Sequence, residues 1–308
     1  MTNILIFGHK NPDTDSICSA IVYNNLKRLL GMDTEAVRLG ELNDETKYAL
    51  EYFNVSTPRL VEELKEGQNV ILVDHNEFQQ SANGIEKAVI REVIDHHRIA
   101  NFETAAPLYY RAEPLGCTAT ILKKIYEEQS VHIDKQMAGL MLSALISDSL
   151  LLKSPTCTLR DKVAAEELAK IAGVNLEEYG LAMLKAGAST KDKKAEELIT
   201  LDAKEFILGD DKLIVAQINT VDEKEVADRK EELANAINSE ISEKSLSAFV
   251  FVITNILTSN SEVLVLGTKQ DKVAAAFGKT LANDFMTLEG VVSRKKQVVP
   301  QITEEFTK

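Results

Sequence analysis

Asn3-Ile4-Leu5-Ile6-Phe7-Gly8-His9-Lys10-Asn11-Pro12-Asp13-Thr14-Asp15 opens the chain with an apolar run that stops at glycine and releases an imidazole and two carboxylates. β-branched and large apolar residues followed by glycine and proline read as a buried strand entering a turn. From Ser16 to Leu30 the apolar positions Ile17, Ala20, Ile21, Leu26, Leu29 and Leu30 have helical spacing, so the turn joins a strand to a helix. In α/β folds that junction is where ligands bind. His9, Asp13 and Asp15 supply the nitrogen and oxygen donors that suit a divalent ion of the Mn, Mg, Co or Zn kind. Asp13 and Asp15 fit helix capping equally well.

Working outward, the same punctuation recurs. Val70-Ile71-Leu72-Val73 ends in Asp74-His75-Asn76, and Arg91-Glu92-Val93-Ile94 ends in Asp95-His96-His97. Strands of a parallel sheet present their carboxyl ends on one edge, so the three clusters are expected to meet there. Asp148 lies near the end of a long apolar helix expected over Lys135 to Leu152, where an unpaired buried carboxylate costs several kcal/mol or is forced to take a proton. Metal binding meets that need. His75 reads as a turn or supporting residue, because adjacent side chains on a strand diverge. His132 reads as a surface residue, Cys18 as core, and Asp95 as a carboxylate that anchors an imidazole from outside the ligand shell.

The remaining elements alternate in the α/β manner. Strands are expected at Thr34 to Leu39 and Leu108 to Arg111. Helices are expected at Asp44 to Phe53, Thr118 to Glu128, Leu159 to Ala172 and Leu176 to Lys185. Around Ala186 to Lys194 the text turns small and charged without periodicity, which reads as a linker. Beyond it, Phe206 to Leu208, Leu213 to Asn219, Ala248 to Ile253 and Glu262 to Leu266 read as strands, and Glu223 to Ser239 and Lys272 to Asn283 as helices. The expected class is α/β in two domains: a parallel-sheet N-terminal domain over residues 1–187, a linker at 188–194, and a smaller domain with a mixed sheet over 195–308.

Composition limits the partners. A length of 308 residues accommodates two domains of ordinary size, and 44% hydrophobic residues can fill their cores. A net charge of -13 argues against a surface that clamps nucleic acid phosphates, and the lack of tryptophan, with only 6% aromatics, removes stacking platforms for single strands. The most apolar stretch, Met137 to Leu152, is interrupted by Ser143, Ser147 and Asp148 and falls short of a membrane span. The opening residues do not read as a signal peptide. Three widely spaced cysteines, Cys18, Cys117 and Cys157, fit neither a disulfide frame nor a zinc knuckle. A soluble, reduced, cytoplasmic protein is expected.

Gly8 to Ser16, Val73-Asp74-His75, Asp95-His96-His97 and Ser147-Asp148 together resemble the motifs of the DHH phosphoesterase superfamily. Ser293-Arg294-Lys295-Lys296-Gln297 is similar to the C-terminal signature of its family II inorganic pyrophosphatase branch. The resemblance spans essentially the whole chain. It implies hydrolysis of inorganic pyrophosphate by a homodimer, with two Mn²⁺ per subunit, Co²⁺ or Mg²⁺ as alternatives, and further Mg²⁺ or Mn²⁺ arriving with the substrate. The implied site lies between the two domains. Carried over motif by motif, His9 and Asp13 hold one metal, Asp15, His96 and Asp148 the other, and Asp74 bridges both. His97 contacts the substrate, either as general acid or only to orient it, while Lys204, Arg294 and Lys295 bind phosphate. No nucleic acid or membrane partner is implied. Relatives that cleave oligonucleotides or cyclic dinucleotides generally carry a glycine-rich histidine motif in the second domain. Here that domain has no histidine and only the scattered glycines Gly209, Gly267, Gly278 and Gly290. A non-catalytic protein that binds metal through the same donors is the other reading.

Overall fold

The computed structural model describes residues 3–188, 190, 193–221 and 223–308, in two compact units, 1–187 and 188–308. Ser189, Lys191 and Asp192 of the expected linker lie outside the described residues.

The first unit runs β1 (Ile4–Phe7), α1 (Thr14–Leu29), β2 (Thr34–Arg38), α2 (Asp44–Tyr52), β3 (Arg59–Leu60), β4 (Asn69–Val73), β5 (Val89–Asp95), β6 (Tyr109–Ala112), α3 (Thr118–Glu128), α4 (Lys135–Ser149), α5 (Leu159–Ala172) and α6 (Leu176–Gly187). Its six strands lie in the order β3-β2-β1-β4-β5-β6, every neighbouring pair parallel. The chain builds outward from β1 to β3, then crosses back to place β4 on the other side of β1. The order therefore reverses between β1 and β4, and the crevice outside their carboxyl ends is the natural ligand position.

Both faces of the sheet are covered, which is why the strands read as continuous apolar runs. Leu5, Phe7, Val70, Leu72 and Val93 enter one buried cluster with Val37, Val61 and Ile85, while Ile6, Ile71 and Ile94, one residue out of phase, are fully buried on the other face. Helix α4 packs against both α1 and α5. It ends three residues earlier than its apolar pattern suggests. Leu150, Leu151 and Leu152 all take left-handed backbone, with φ of 48°, 52° and 64°, a conformation that costs an L-residue about 1–2 kcal/mol. Ser149 stops the helix by accepting the Leu152 amide on its Oγ at 3.0 Å. Asp148 thus sits one residue from the helix end.

The second unit has α7 (Ala195–Leu198), β7 (Ala203–Leu208), β8 (Asp211–Thr220), α8 (Glu223–Ala227), α9 (Lys230–Lys244), β9 (Ala248–Asn255), β10 (Asn260–Leu266), α10 (Gln270–Ala275), β11 (Phe285–Leu288) and α11 (Val299–Phe306). Its sheet, ordered β11-β10-β9-β8-β7, is mixed: β8 and β9 are parallel and the other pairs antiparallel. All eight residues of β9 are buried, so that β9 is the spine of two clusters, one on each face. The helix expected over Glu223 to Ser239 is two helices broken at Asp228 and Arg229, and the one expected over Lys272 to Asn283 stops at Ala275. Gly278, at φ 61°, turns that chain, and Ala282 bridges to Phe285. Between β11 and α11, Arg294–Val298 forms a π-helical turn; such turns concentrate at functional positions.

Candidate metal centre

Four chain segments, around His9 to Asp15, Asp74, Asp95 to His97 and Asp148, bring carboxylates and imidazoles together at the carboxyl edge of the parallel sheet. Gly8 lets β1 end directly against α1: a Cβ there would lie 2.5 Å from Ser16 Cβ and 2.6 Å from its Cα. Asp13 caps α1, its Oδ1 accepting the Ser16 amide at 2.9 Å. Capping and site donation coexist, because Oδ2 of the same side chain lies 3.4 Å from His9 Nε2. Asp15, inside the first turn and fully buried, is held by Ser19 Oγ at 2.6 Å and by the Thr118 amide at 2.7 Å.

Asp74 follows β4 with left-handed backbone, φ 58°, while its amide still donates to Ile94 O at 2.9 Å. Asp is one of the few residues that visit this conformation routinely. The turn sends its buried carboxylate across the switch crevice. Oδ2 lies 3.4 Å from His9 Nε2 and Oδ1 lies 3.4 Å from His96 Nε2. Ser16 Oγ donates to Oδ2 at 2.9 Å and Thr118 Oγ1 to Oδ1 at 3.3 Å. His96 donates from Nδ1 to Leu115 O at 3.0 Å, which turns Nε2 toward Asp74 and, 3.8 Å away, Asp148 Oδ2.

Three groups result, each with ligand atoms within 4.8 Å of one another: His9, Asp13 and Asp74; Asp15, His96 and Asp148; and Asp74, His96 and His97. The residues fit divalent ions on two counts. Asp148 Oδ2 is buried with no hydrogen-bond donor among the described residues, which is costly for a carboxylate left to itself. Imidazole and carboxylate donors also suit first-row divalent ions, and donors about 2.1 Å from a shared ion stand roughly 3 to 3.5 Å apart.

Proton affinities express the same crowding. Burial alone lowers the His9 pKa, but the Asp13 and Asp74 carboxylates raise it to about 10. His96 follows suit: burial opposes the charge, Asp74 and Asp15 restore it, and the pKa rises to about 9. Burial raises Asp15 to about 7, with the Asp74 charge adding to it, and raises Asp148 well above the carboxylate range, with Asp15 and Asp13 adding. Burial acts the same way on Asp74, yet a hydrogen bond from His96 and the charges of His9 and His97 hold it below that range. Raised proton affinity among crowded acids and imidazoles is the electrostatic demand that a bound cation would meet in place of protons.

Around this centre, Asp95 is fully buried and accepts from His97 Nδ1 at 3.0 Å and from Asn76 Nδ2 at 2.6 Å. His75 spends both nitrogens elsewhere, Nδ1 on Val73 O at 2.9 Å and Nε2 on Ser81 Oγ at 3.0 Å, and its pKa falls to about 4, chiefly by burial. His132 is exposed and Cys18 fully buried. Ser16, Ser19 and Thr118, which orient the carboxylates, carry no sequence signal of a role beyond Ser16's place in the first motif.

In the second unit, Lys204 is exposed on β7, opposite Val215 of β8. Arg294 begins the π-helical turn, with Nη2 on Asp202 Oδ1 at 2.8 Å and Nη1 on Val215 O at 3.4 Å. Gln217 and Gln297 hold the turn from either side, Gln217 Oε1 accepting the Arg294 amide at 3.1 Å and Gln297 Oε1 the Val292 amide at 3.0 Å. Lys295 follows, exposed. The fold thus gathers Lys204 and Arg294 around the Asp202 and Val215 backbone.

The DHH family N-terminal domain matches residues 3–145 and the DHHA2 domain residues 181–305. A probable manganese-dependent inorganic pyrophosphatase of an Exiguobacterium species is 63% identical over 309 residues, covering 100% of both chains. The manganese-dependent inorganic pyrophosphatase of Bacillus subtilis is 61% identical over 305 residues, 99% of each. The chain belongs to the manganese-dependent inorganic pyrophosphatase family. It is accordingly an enzyme of the hydrolase class. A Methanococcus jannaschii crystal structure, provisionally named a family II inorganic pyrophosphatase, superposes with a TM-score of 0.84 at 39% identity, over 99% of this chain and 100% of that one.

Proposed function

We propose that the chain hydrolyses inorganic pyrophosphate to two phosphates, with a pair of divalent ions, Mn²⁺ or Co²⁺, held by His9, Asp13, Asp15, Asp74, His96 and Asp148. The observation that carries this is the division of Asp74, one carboxylate oxygen turned toward the His9 group and the other toward the His96 group. When bound, such a pair supplies an activated water and neutralises phosphate charge.

The chain's own residues provide the rest. With ions bound, Asp13, Asp15, Asp74 and Asp148 would supply four negative charges, enough to balance two divalent ions, which leaves the charge of a diphosphate to be met by other groups. Lys204, Arg294 and Lys295 are the proposed compensation. Arg294 offers bidentate contact and the lysines point charges, and Arg294 would exchange Asp202 for a phosphate oxygen. His97 donates a hydrogen bond from Nδ1 to Asp95, leaving Nε2 to hold a proton for the leaving oxygen or to orient it. On this reading residues 1–187 form the metal-binding catalytic domain, 188–194 the linker and 195–308 the substrate-binding domain. A homodimer in the cytoplasm, with further Mg²⁺ or Mn²⁺ entering on the substrate, completes the proposal. The comparisons support pyrophosphate through the names of the relatives, and the chemistry of the donor set supports the ions. Among the described residues no helix is long and apolar enough to cross a membrane.

The test is phosphate release from pyrophosphate with Mn²⁺, with Mg²⁺ and with chelator, beside a dinucleotide substrate. Release from pyrophosphate alone, dependent on metal and reduced more than about a hundredfold in Asp74→Ala, is expected. Faster cleavage of the dinucleotide, or full activity in Asp74→Ala or with chelator, would contradict the reading.

A further inference from the structure

Asp161, the third residue of α5, is fully buried, and its carboxylate is held by hydrogen bonds from neutral groups. Four donors satisfy it. Oδ2 accepts from the Gly116 amide at 2.9 Å and from the Thr158 amide and hydroxyl, both at 2.7 Å, while Oδ1 accepts from Thr120 Oγ1 at 2.6 Å. The bond from the Thr158 amide is one half of a capping box that starts α5, the other half being the Asp161 amide donating to Thr158 Oγ1 at 3.3 Å. The bonds from Gly116 and Thr120 leave the helix altogether and fasten the chain 45 and 41 residues earlier, on both sides of Cys117.

That earlier segment touches three residues of the metal centre. Leu115 O accepts from His96 Nδ1 at 3.0 Å, the Thr118 amide donates to Asp15 Oδ2 at 2.7 Å, and Thr118 Oγ1 donates to Asp74 Oδ1 at 3.3 Å. Gly116 lies between these contacts and has no room for a side chain: a Cβ would stand 2.9 Å from Asp161 Oδ2 and 3.3 Å from Cys157 Cα. We propose that Asp161 is a positioning residue, which by fastening the turn at Gly116 and Thr120 fixes the orientation of His96 and Asp15, and through Thr118 that of Asp74. Outer-shell partners of this kind commonly alter metal affinity by 10–100-fold. The turn touches Asp15, His96 and the Oδ1 oxygen of Asp74 that faces His96, and not His9, Asp13 or the Oδ2 oxygen that faces His9, so the ion on the Asp15, His96 and Asp148 side is the one that depends on it. This inference rests on the two-ion reading above.

Mn²⁺ binding to the full chain, followed by calorimetry and electron paramagnetic resonance, tests it with three variants. Asp161→Ala removes the anchor. Gly116→Ala pushes the turn off the anchor and keeps both side chains of the capping box. Thr158→Ala breaks the capping box and leaves the bonds from Gly116 and Thr120. The expected result is that wild type binds two ions, that Asp161→Ala and Gly116→Ala each weaken one of them at least about tenfold with the other held within twofold, and that excess Mn²⁺ restores turnover. Thr158→Ala is expected to melt earlier and bind both ions as wild type does. Unchanged isotherms in Gly116→Ala and Asp161→Ala, or equal weakening in Thr158→Ala, would overturn the role of Asp161 while the two-ion reading stands. A wild type that binds no Mn²⁺ would overturn both.

Discussion

Asp74 joins backbone and side chain in one device, since only the left-handed turn after β4 lets a single carboxylate divide its oxygens between His9 and His96. Glu45 is a second buried acid, with a different environment. It receives the Ser147 hydroxyl at 2.6 Å, and burial raises its pKa from 4.5 to about 7 despite that bond. A raised folded-state pKa means stability fully present below pH 4.5 and lost as pH climbs through 7. Glu45→Gln keeps an acceptor for Ser147 and removes the titration. Denaturant unfolding should therefore find the variant more stable than wild type at pH 8, by up to about 3 kcal/mol, and level with it at pH 4.5. A gap independent of pH would refute this account of Glu45. The imidazoles and acids at strand ends could be read from the sequence because each follows an apolar run. Thr118, Asp161 and Glu45 could not: a threonine before a helix and acids in amphipathic helices are commonplace, and the partner of the Thr118 amide, Asp15, lies 103 residues away.

Helix α4 owes its position to a close approach that only glycine permits. A Cβ on Gly139 would lie 2.4 Å from three ring atoms of the buried Phe53. Alanine there gains about 1 kcal/mol of helix propensity, but overpacking a filled core costs about 1–3 kcal/mol. Gly139→Ala should lower the melting temperature, and a rise would show that Phe53 yields freely. The elements themselves were legible wherever periodicity ran long and both faces were covered, as in β1, β4, β5 and α3. Periodicity misled at Leu150 to Leu152, where three leucines continue a helical pattern on a backbone that has already reversed. It was silent at β3, two residues long, and at β11, whose alternating burial occupies only four positions. The break between α8 and α9 was hidden by charged residues on both sides, and the π-helical turn leaves no periodic trace in five residues.

Across the whole molecule, each unit closes its own core around its own sheet. The chemistry is partitioned with them: acids and imidazoles at the switch point of the first sheet, and the cations Lys204, Arg294 and Lys295 in the second unit. A chain of net charge -13 gathers much of its buried charge at one crevice, an arrangement that compensating cations explain and packing does not. The most direct test is anomalous diffraction at the manganese edge from crystals grown with Mn²⁺. The account predicts two peaks in each chain, one among His9, Asp13 and Asp74 and one among Asp15, His96 and Asp148, with Asp74 reaching both. No peak at those residues, or a single ion with Asp74 turned away, would contradict it.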